Sequence, residues 1–205
     1  MVLLSGPLSQ AADWQMWNDL SWNQIVAPGF DASLRTEQRF EREISRFSYY
    51  EIEPSLTWRY SPRWDFTLGY ERDERLRPME EVVHLPNFSA VLNVPLRRWN
   101  FSNRFRVEFP VSENEGTSWQ AACRSLSTLQ TQWTLGGKSL TPFLSEEWFY
   151  SITEGTFTEN RASVGLGIPI VAHWVAQLYW MRQDLKTQDK WEWHPVLGAS
   201  IQAQF

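Results

Sequence analysis

The sequence predicts an all-β fold, an antiparallel β-barrel that crosses a membrane, and two observations lead to this prediction. Apolar and polar residues alternate over many short segments, whereas helical periodicity is scarce. The 205 residues include 13 Trp, 6 Tyr and 12 Phe, and Trp and Tyr favour the interfaces between a membrane and water. A hydrophobic fraction of only 42% is compatible with such a barrel, because lipid-facing and lumen-facing residues average out along each strand.

The last segment shows the alternation most clearly. Its odd-numbered positions are apolar from Trp191 to Phe205, and most of its even-numbered positions are polar. We therefore expect the odd-numbered side to face lipid. An aromatic residue at the end of such a strand also fits the signal that the barrel-assembly machinery of outer membranes reads during insertion, here formed by Leu197, Ala199, Ile201, Ala203 and Phe205.

Earlier segments repeat this pattern. Residues 50–60 and 64–71 alternate in the same way and are joined by Ser61-Pro62-Arg63, which is a tight hairpin signal. The pattern indicates eleven segments in all, near 14–26, 32–42, 48–60, 64–73, 86–95, 99–110, 119–135, 139–151, 157–168, 171–183 and 190–205. Because bacterial single-chain barrels usually have an even number of strands, the prediction is twelve strands, with ten as the alternative.

The connections between these segments alternate in character. Tight turns are predicted near 27–32, 61–63, 95–98, 136–138 and 168–171, and polar, charged loops near 42–48, 73–86, 111–118, 152–158 and 184–190. Outer-membrane barrels have short periplasmic turns and longer extracellular loops. We therefore expect the first set to be periplasmic and the second set to be extracellular.

The N-terminal residues 1–12 differ from the rest, and we expect residues 13–205 to form a single barrel domain. Ser9-Gln10-Ala11 has the small-x-small form of a signal-peptidase site, but the first basic residue of the chain is Arg35. A working signal needs a positive start and a longer apolar core. Residues 1–12 are therefore interpreted as a truncated signal remnant or a disordered terminus.

Composition excludes several functional classes. A net charge of −5 gives no basic footprint, so no nucleic-acid partner is predicted. Cys123 is the single cysteine, which excludes an intramolecular disulfide and a cysteine metal cluster. His84, in a predicted loop, and His173 and His194, on polar faces, have no catalytic or metal-ligating partner at a meaningful spacing. No catalytic residue, metal or cofactor is therefore predicted.

One segment has a rival interpretation. Residues 162–181 contain no charged side chain and are long enough for a transmembrane helix. However, Gly165, Gly167 and Pro169 interrupt this run, and it divides into two alternating halves. This favours two strands.

The outward and inward faces of the predicted strands carry different chemistry. Tryptophans lie outward near predicted strand ends, as in an aromatic girdle, at Trp14, Trp22, Trp58, Trp64, Trp99, Trp174, Trp180, Trp191 and Trp193. Trp17 lies on the polar face and is interpreted as a plug in the lumen.

The polar faces, projected inward, predict a nearly balanced network of charges. Its members are Arg35, Glu37, Arg39, Glu41, Glu51, Glu53, Arg59, Asp65, Glu71, Arg104, Arg106, Glu108 and Arg161. Charges in a narrow lumen lose much of their water and need partners, and arginine suits this role because its planar head pairs with carboxylates bidentately. The network either packs and braces the lumen or lines a narrow path for a small polar solute.

Several motifs together resemble a known bacterial family. They are Asn103-Arg104-Phe105-Arg106-Val107-Glu108-Phe109, Leu144-Ser145-Glu146-Glu147-Trp148-Phe149, Glu159-Asn160-Arg161 with Gly165 and Gly167, Tyr179-Trp180-Met181-Arg182-Gln183, and His194-Pro195-Val196-Leu197. In order and spacing they resemble the family catalogued as domain of unknown function 2490, regarded as outer-membrane β-barrels. The resemblance spans roughly residues 14–205. It departs at Cys123-Arg124-Ser125, where the family pattern would have two arginines, and it implies no activity.

These features predict an outer-membrane barrel of unassigned activity, surrounded by outer-membrane lipid, that is either structural or a narrow solute channel. One alternative is an outer-membrane enzyme that modifies lipid, although the sequence gives no positive indication of an enzyme. The other alternative is a soluble β-barrel with a ligand inside, which would place apolar residues inward.

Overall fold

The computed structural model describes residues 13–76, 80–113, 120–187 and 190–205. These residues form thirteen strands, β1 (Gln15–Ala27), β2 (Phe30–Glu41), β3 (Arg46–Arg59), β4 (Trp64–Arg75), β5 (Glu81–Leu96), β6 (Trp99–Glu108), β7 (Val111–Ser112), β8 (Ala122–Thr131), β9 (Trp133–Leu135), β10 (Lys138–Ser151), β11 (Thr156–Val171), β12 (Trp174–Thr187) and β13 (Lys190–Gln204). Residues 1–12, interpreted above as a signal remnant or a disordered terminus, lie outside the described residues.

Eleven of these strands close into a barrel. Neighbouring wall strands are antiparallel, except that β1 and β13 pair in parallel, from Gln15 opposite Val196 to Asn23 opposite Gln204. The short strands β7 and β9 pair with β5 and β10 and lie outside this wall. The predicted all-β barrel is confirmed, whereas the predicted twelve strands, like the alternative ten, are corrected to eleven.

The parallel pairing of β1 with β13 follows from the odd number of wall strands. Each wall strand reverses the direction of the one before it, so the first and last strands of an odd set run in the same direction. Their pairing must then be parallel, as it is between β1 and β13. Division of the sequence into eleven segments was therefore right, and the assumption of an even number was wrong.

The connections lie in two groups at opposite ends of the barrel. We call the end with the β1–β2, β3–β4, β5–β6, β8–β10 and β11–β12 connections the turn end, and the opposite end the loop end. At the turn end, Gly29 has a φ of 77° and Gly137 a φ of 75°, which are left-handed conformations that glycine adopts without strain. Among the described residues, no helix is long and apolar enough to cross a membrane, and residues 162–181 fall in β11 and β12 with the turn between them.

The wall is apolar outside and largely polar inside. Large apolar side chains are exposed around the outer surface, among them Leu68 at 66% and Leu178 at 57%, whereas Glu51 and Arg106 inside are each only 2% exposed. On the last strand, Leu197, Ile201 and Phe205 are exposed, but Ala203 is 1% exposed. Ala203 stands between two tryptophans of the neighbouring strands, Trp22 and Trp174, whose large side chains explain its burial.

The start of β5 is longer than the sequence indicated. It begins at Glu81, so that His84 lies in a strand and the prediction of a loop there is wrong. The polarity is inverted at this point, because Val83 and Leu85 are buried on the inner side. This inversion hid the strand, because the prediction assumed that polar residues face the lumen.

Candidate functional site

The lumen contains a dense cluster of ion pairs centred on Arg106. Its Nη1 lies 2.9 Å from Glu53 Oε1 and its Nε 2.8 Å from Glu108 Oε1, and the same guanidinium also pairs with Glu71. Arg124 pairs with Glu108, and its Nη2 lies 3.3 Å from Glu71 Oε2. Every carboxylate of this group thus contacts at least one arginine, as burial of charge requires.

A second arginine joins further carboxylates to this cluster. Arg35 Nη1 lies 3.1 Å from Asp19 Oδ2 and 3.2 Å from Glu37 Oε2. Its Nε lies 3.2 Å from Glu53 Oε2, and it also pairs with Glu51. Because Glu53 contacts both Arg35 and Arg106, the network extends from β1 to β6 across one half of the lumen.

The opposite half of the lumen is organised around Glu147. Arg104 Nη2 lies 3.0 Å from Glu147 Oε1, and Arg161 Nη1 lies 3.8 Å from Glu147 Oε2. Arg161 Nε also lies 2.6 Å from Glu159 Oε1. Glu147 and Glu159 were absent from the predicted network.

Three predicted members lie elsewhere. Arg59 pairs with Asp31 near the turn end. Asp65 accepts a hydrogen bond of 3.1 Å from Asn93 Nδ2 at the same end. Glu41 lines a cavity at the loop end. Ten of the thirteen predicted residues therefore form ion pairs in the lumen. These three form none with that network among the described residues, although Glu41 lines the same cavity as Glu71 and Glu108.

Stacked arginines and aromatic rings cross the lumen in a single layer. Arg39 lies between Trp17 and Tyr49, with its guanidinium carbon 3.9 Å and 4.0 Å from the two ring centroids. Arg161 lies between Trp17 at 4.7 Å and Phe149 at 4.4 Å. The guanidinium carbon of Arg124 lies 5.2 Å from the ring centroid of Phe149. We call these six residues the arginine–aromatic layer.

This layer spans the barrel rather than following its wall. Trp17 belongs to β1 and Arg161 to β11, and the whole width of β12 and β13 separates these strands in the wall. Contact between their side chains therefore runs through the lumen. Trp17 is 3% exposed, and its indole nitrogen donates a 3.0 Å hydrogen bond to Gln15 Oε1.

Two cavities lie on either side of the layer. The cavity toward the turn end has a volume of about 270 Å³ and is lined by Phe143, Gln177 and Gln202 among others. The one toward the loop end, which we call the upper chamber, has a volume of about 390 Å³. Both are lined by Trp17, Arg39, Arg124 and Arg161, so the two cavities meet at members of the layer.

Glycines make room for aromatic side chains in the turn-end cavity. A Cβ atom at Gly198 would lie 1.9 Å from Tyr179 Cζ, and one at Gly165 would lie 2.4 Å from Phe143 Cζ. Tyr179 packs against a small buried group formed by Trp17, Met181 and Val196. This part of the lumen is thus filled by side chains that need glycine opposite them.

The carboxylates of Glu51, Glu53 and Glu71 lie close enough to suggest a metal site, because one oxygen of each falls within 4.8 Å of the others. Arginine cations already occupy this position, since Arg35 pairs with Glu51 and Arg106 with Glu53 and Glu71. The arrangement is therefore the core of the ion network.

A separate chain of polar groups lies on the outer surface near the loop end. The hydroxyl of Tyr70 is hydrogen-bonded to Nδ1 of His84, and Nε2 of His84 lies 2.8 Å from Glu113 Oε1. Sequence spacing could not reveal this chain, because its members come from β4, β5 and the residue after β7.

The family model for proteins of unknown function, DUF2490, matches residues 14–194. The chain belongs to this family. The predicted family resemblance is thereby confirmed, while a search of curated proteins finds no match. In this DUF2490 protein the single arginine at position 124, where the family pattern suggested two, contacts both Glu71 and Glu108 and leaves neither without a cation.

Proposed function

We propose that this DUF2490 protein is an integral outer-membrane β-barrel whose lumen is closed by the arginine–aromatic layer. The observation that carries the proposal is the polarity of the wall, which exposes Leu68, Leu178 and many aromatic rings outward and buries arginines and glutamates inward. A soluble barrel that holds an apolar ligand would have the reverse polarity. A closed lumen makes the protein a structural or ligand-holding barrel rather than a wide pore.

The dimensions of the wall support this location. Wall strands have between 10 and 16 residues, whereas a tilted strand needs about 9–11 residues to cross the hydrocarbon core. Exposed tryptophans lie near both ends, with Trp58, Trp64 and Trp99 toward the turn end and Trp191 and Trp193 toward the loop end. In this arrangement the turn end is periplasmic and outer-membrane lipid surrounds the wall. The barrel-assembly machinery inserts the chain into that membrane.

Closure of the lumen is supported by the number of contacts that each arginine of the layer makes. Each guanidinium in the layer stacks on at least one ring and pairs with at least one carboxylate, as Arg39 does with Glu37 and Arg161 with Glu159. Cation–π contacts between desolvated groups contribute on the order of 2 kcal/mol each. A continuous water path would have to break several of them, so ions do not pass in the resting state.

Conductance measurements test the closed lumen. Wild-type protein in planar lipid bilayers is expected to give no stable conductance, and Trp17→Ala is expected to give steps because it removes the central ring of the layer. Trp22→Ala is the matched control, since Trp22 lies on the same strand but faces outward. Steady conductance by the wild type would favour the narrow solute channel instead, and a silent Trp17→Ala variant would show that the layer is not the barrier.

Membrane location has its own test. Urea-unfolded protein is expected to fold into lipid vesicles and to float with them in a density gradient. Protein that stays folded and monomeric at high concentration without detergent or lipid would contradict the proposal.

A second candidate, an outer-membrane enzyme acting on lipid, is favoured by one observation, the chain Tyr70–His84–Glu113. A carboxylate that orients an imidazole beside a hydroxyl is the arrangement that activates a nucleophile. It lies on the outer surface, where a lipid ester could approach it. Release of fatty acid from lipid vesicles by the wild type but not by His84→Ala, with His173→Ala as control, would support this candidate, and no release by the wild type would exclude it for the lipids tested.

A further inference from the structure

Asp73 differs from the carboxylates of the ion network. It is 5% exposed, yet among the described residues no arginine, lysine or histidine lies within ion-pair distance of it. Its Oδ1 atom is buried without a hydrogen-bond partner. Its neighbours across and along the sheet include Glu51 and Glu71, which are also acidic. Tyr49 and Glu71 are its hydrogen-bond partners, so the carboxyl group has polar neighbours but no cation among the described residues. A buried carboxylate in this position either takes up a proton or pairs with a cation.

Gln183 presents a second buried acceptor without a partner. The residue is 4% exposed, and its Oε1 atom has no hydrogen bond within the described chain. Its amide orientation is fixed, because Nε2 donates a 2.6 Å hydrogen bond to Glu159 Oε1. The oxygen is therefore the atom left without a donor.

Both atoms belong to the walls of the upper chamber, on β4 and β12. The chamber lining contains five carboxylates, Glu41, Glu71, Asp73, Glu108 and Glu159, and four arginines, Arg39, Arg75, Arg124 and Arg161. Three of these arginines belong to the layer, and Arg75 lies 3.4 Å from Glu81. Glu71 and Glu108 pair with Arg106 and Arg124, and Glu159 pairs with Arg161. Asp73 is thus a lining carboxyl group without a cation among the described residues, and both unpartnered atoms are hydrogen-bond acceptors.

We propose that the upper chamber binds a small organic ammonium compound that carries a second N–H donor. One ammonium group pairs with Asp73 and the second donor bonds to Gln183 Oε1. The volume of about 390 Å³ leaves room for a molecule of this size. This inference deepens the proposed function, since it rests on a chamber with a closed floor.

Calorimetric titration of the full-length protein in detergent micelles tests this proposal, with 1,4-diaminobutane as the probe. Binding to the wild type is expected, with affinity reduced by at least about tenfold in Asp73→Asn and several-fold in Gln183→Leu, because each variant removes one acceptor. Gln177→Leu, in the turn-end cavity, is the matched control and should bind as the wild type does.

The stability of the ligand-free protein against urea gives an independent test of the proposal. Asp73→Asn replaces a buried carboxyl group that has no cationic partner among the described residues by a neutral amide, so the empty variant is expected to unfold at a higher urea concentration than the empty wild type. The ligand 1,4-diaminobutane should raise the midpoint of the wild type more than that of the variant. Absence of binding to the wild type, equal binding to wild type and Asp73→Asn, or equal stabilisation by sodium chloride at the same concentration would overturn the proposal. None of these results depends on conductance or membrane location, so failure here is distinguishable from failure of the proposed function.

Discussion

Replacement of Arg106 by methionine tests how far the ion network stabilises the barrel. Arg106 is 2% exposed and contacts Glu53, Glu71 and Glu108. Removing one partner of a buried ion pair costs about 3–5 kcal/mol. The lower end applies here, because Glu53 keeps Arg35 and the other two carboxylates keep Arg124. We therefore expect a loss of about 3 kcal/mol in the free energy of unfolding, or roughly two orders of magnitude in the folding equilibrium.

The assay is reversible urea unfolding in lipid vesicles, followed by tryptophan fluorescence. Arg182→Met is the matched control, because Arg182 pairs with Asp184 but its side chain is 53% exposed, and exposed pairs contribute at most about 1 kcal/mol. In the Arg106→Met background, Glu71→Gln should cost less than it does alone, because the carboxylate has then lost one of its cations. An Arg106→Met variant within 1 kcal/mol of the wild type, in the range of exposed pairs, would refute the stabilising role of the network.

Three further predictions concern the wall and the lumen. Leu68→Arg should cost about 2–4 kcal/mol in vesicles if Leu68 faces the bilayer centre, and a change below about 0.5 kcal/mol, typical of a water-exposed surface, would contradict a membrane wall. Gly198→Ala should lower the free energy of unfolding by about 1–3 kcal/mol, because the added methyl group overpacks against Tyr179. The double variant with Tyr179→Ala should recover part of this loss. A Gly198→Ala variant as stable as the wild type would show that the ring of Tyr179 moves freely. Glu146→Leu should raise the urea midpoint in vesicles, because Glu146 is exposed on the outer face. Glu147→Leu should lower the midpoint, because Glu147 pairs with Arg104 in the lumen. Equal effects of the two substitutions would mean that the two faces are not distinct.

The strands were predictable where polarity and position agree. Around Arg104 and Arg106 the alternation with Phe105 and Val107 separates the two faces without ambiguity, and both arginines do lie in the lumen. Local alternation of this kind depends only on the period of two along a strand. It requires no knowledge of neighbouring strands.

Other positions were not predictable, because both faces of their strands carry polar as well as apolar side chains. In β10 the inner face carries Phe143, Glu147 and Phe149, while the outer face carries Glu146 and Trp148. Polarity alone could not assign Glu147 to the lumen. The arginine–aromatic layer was hidden for a different reason, because the contact between Trp17 and Arg161 depends on how β1 meets β13, and no local pattern contains that information.

The parallel pairing of β1 with β13 also places the first and last described residues at opposite ends of the barrel. The carboxylate of Asp13 accepts hydrogen bonds from the backbone of Arg42 and Glu43 at the loop end, whereas the backbone of Phe205 bonds to Asn23 and Ile25 at the turn end. A barrel with an even number of strands would have brought both ends to one side. If the barrel spans an outer membrane with its turn end in the periplasm, as proposed, an epitope fused ahead of Asp13 would be stained on intact cells, and one fused after Phe205 only once the membrane is permeabilised.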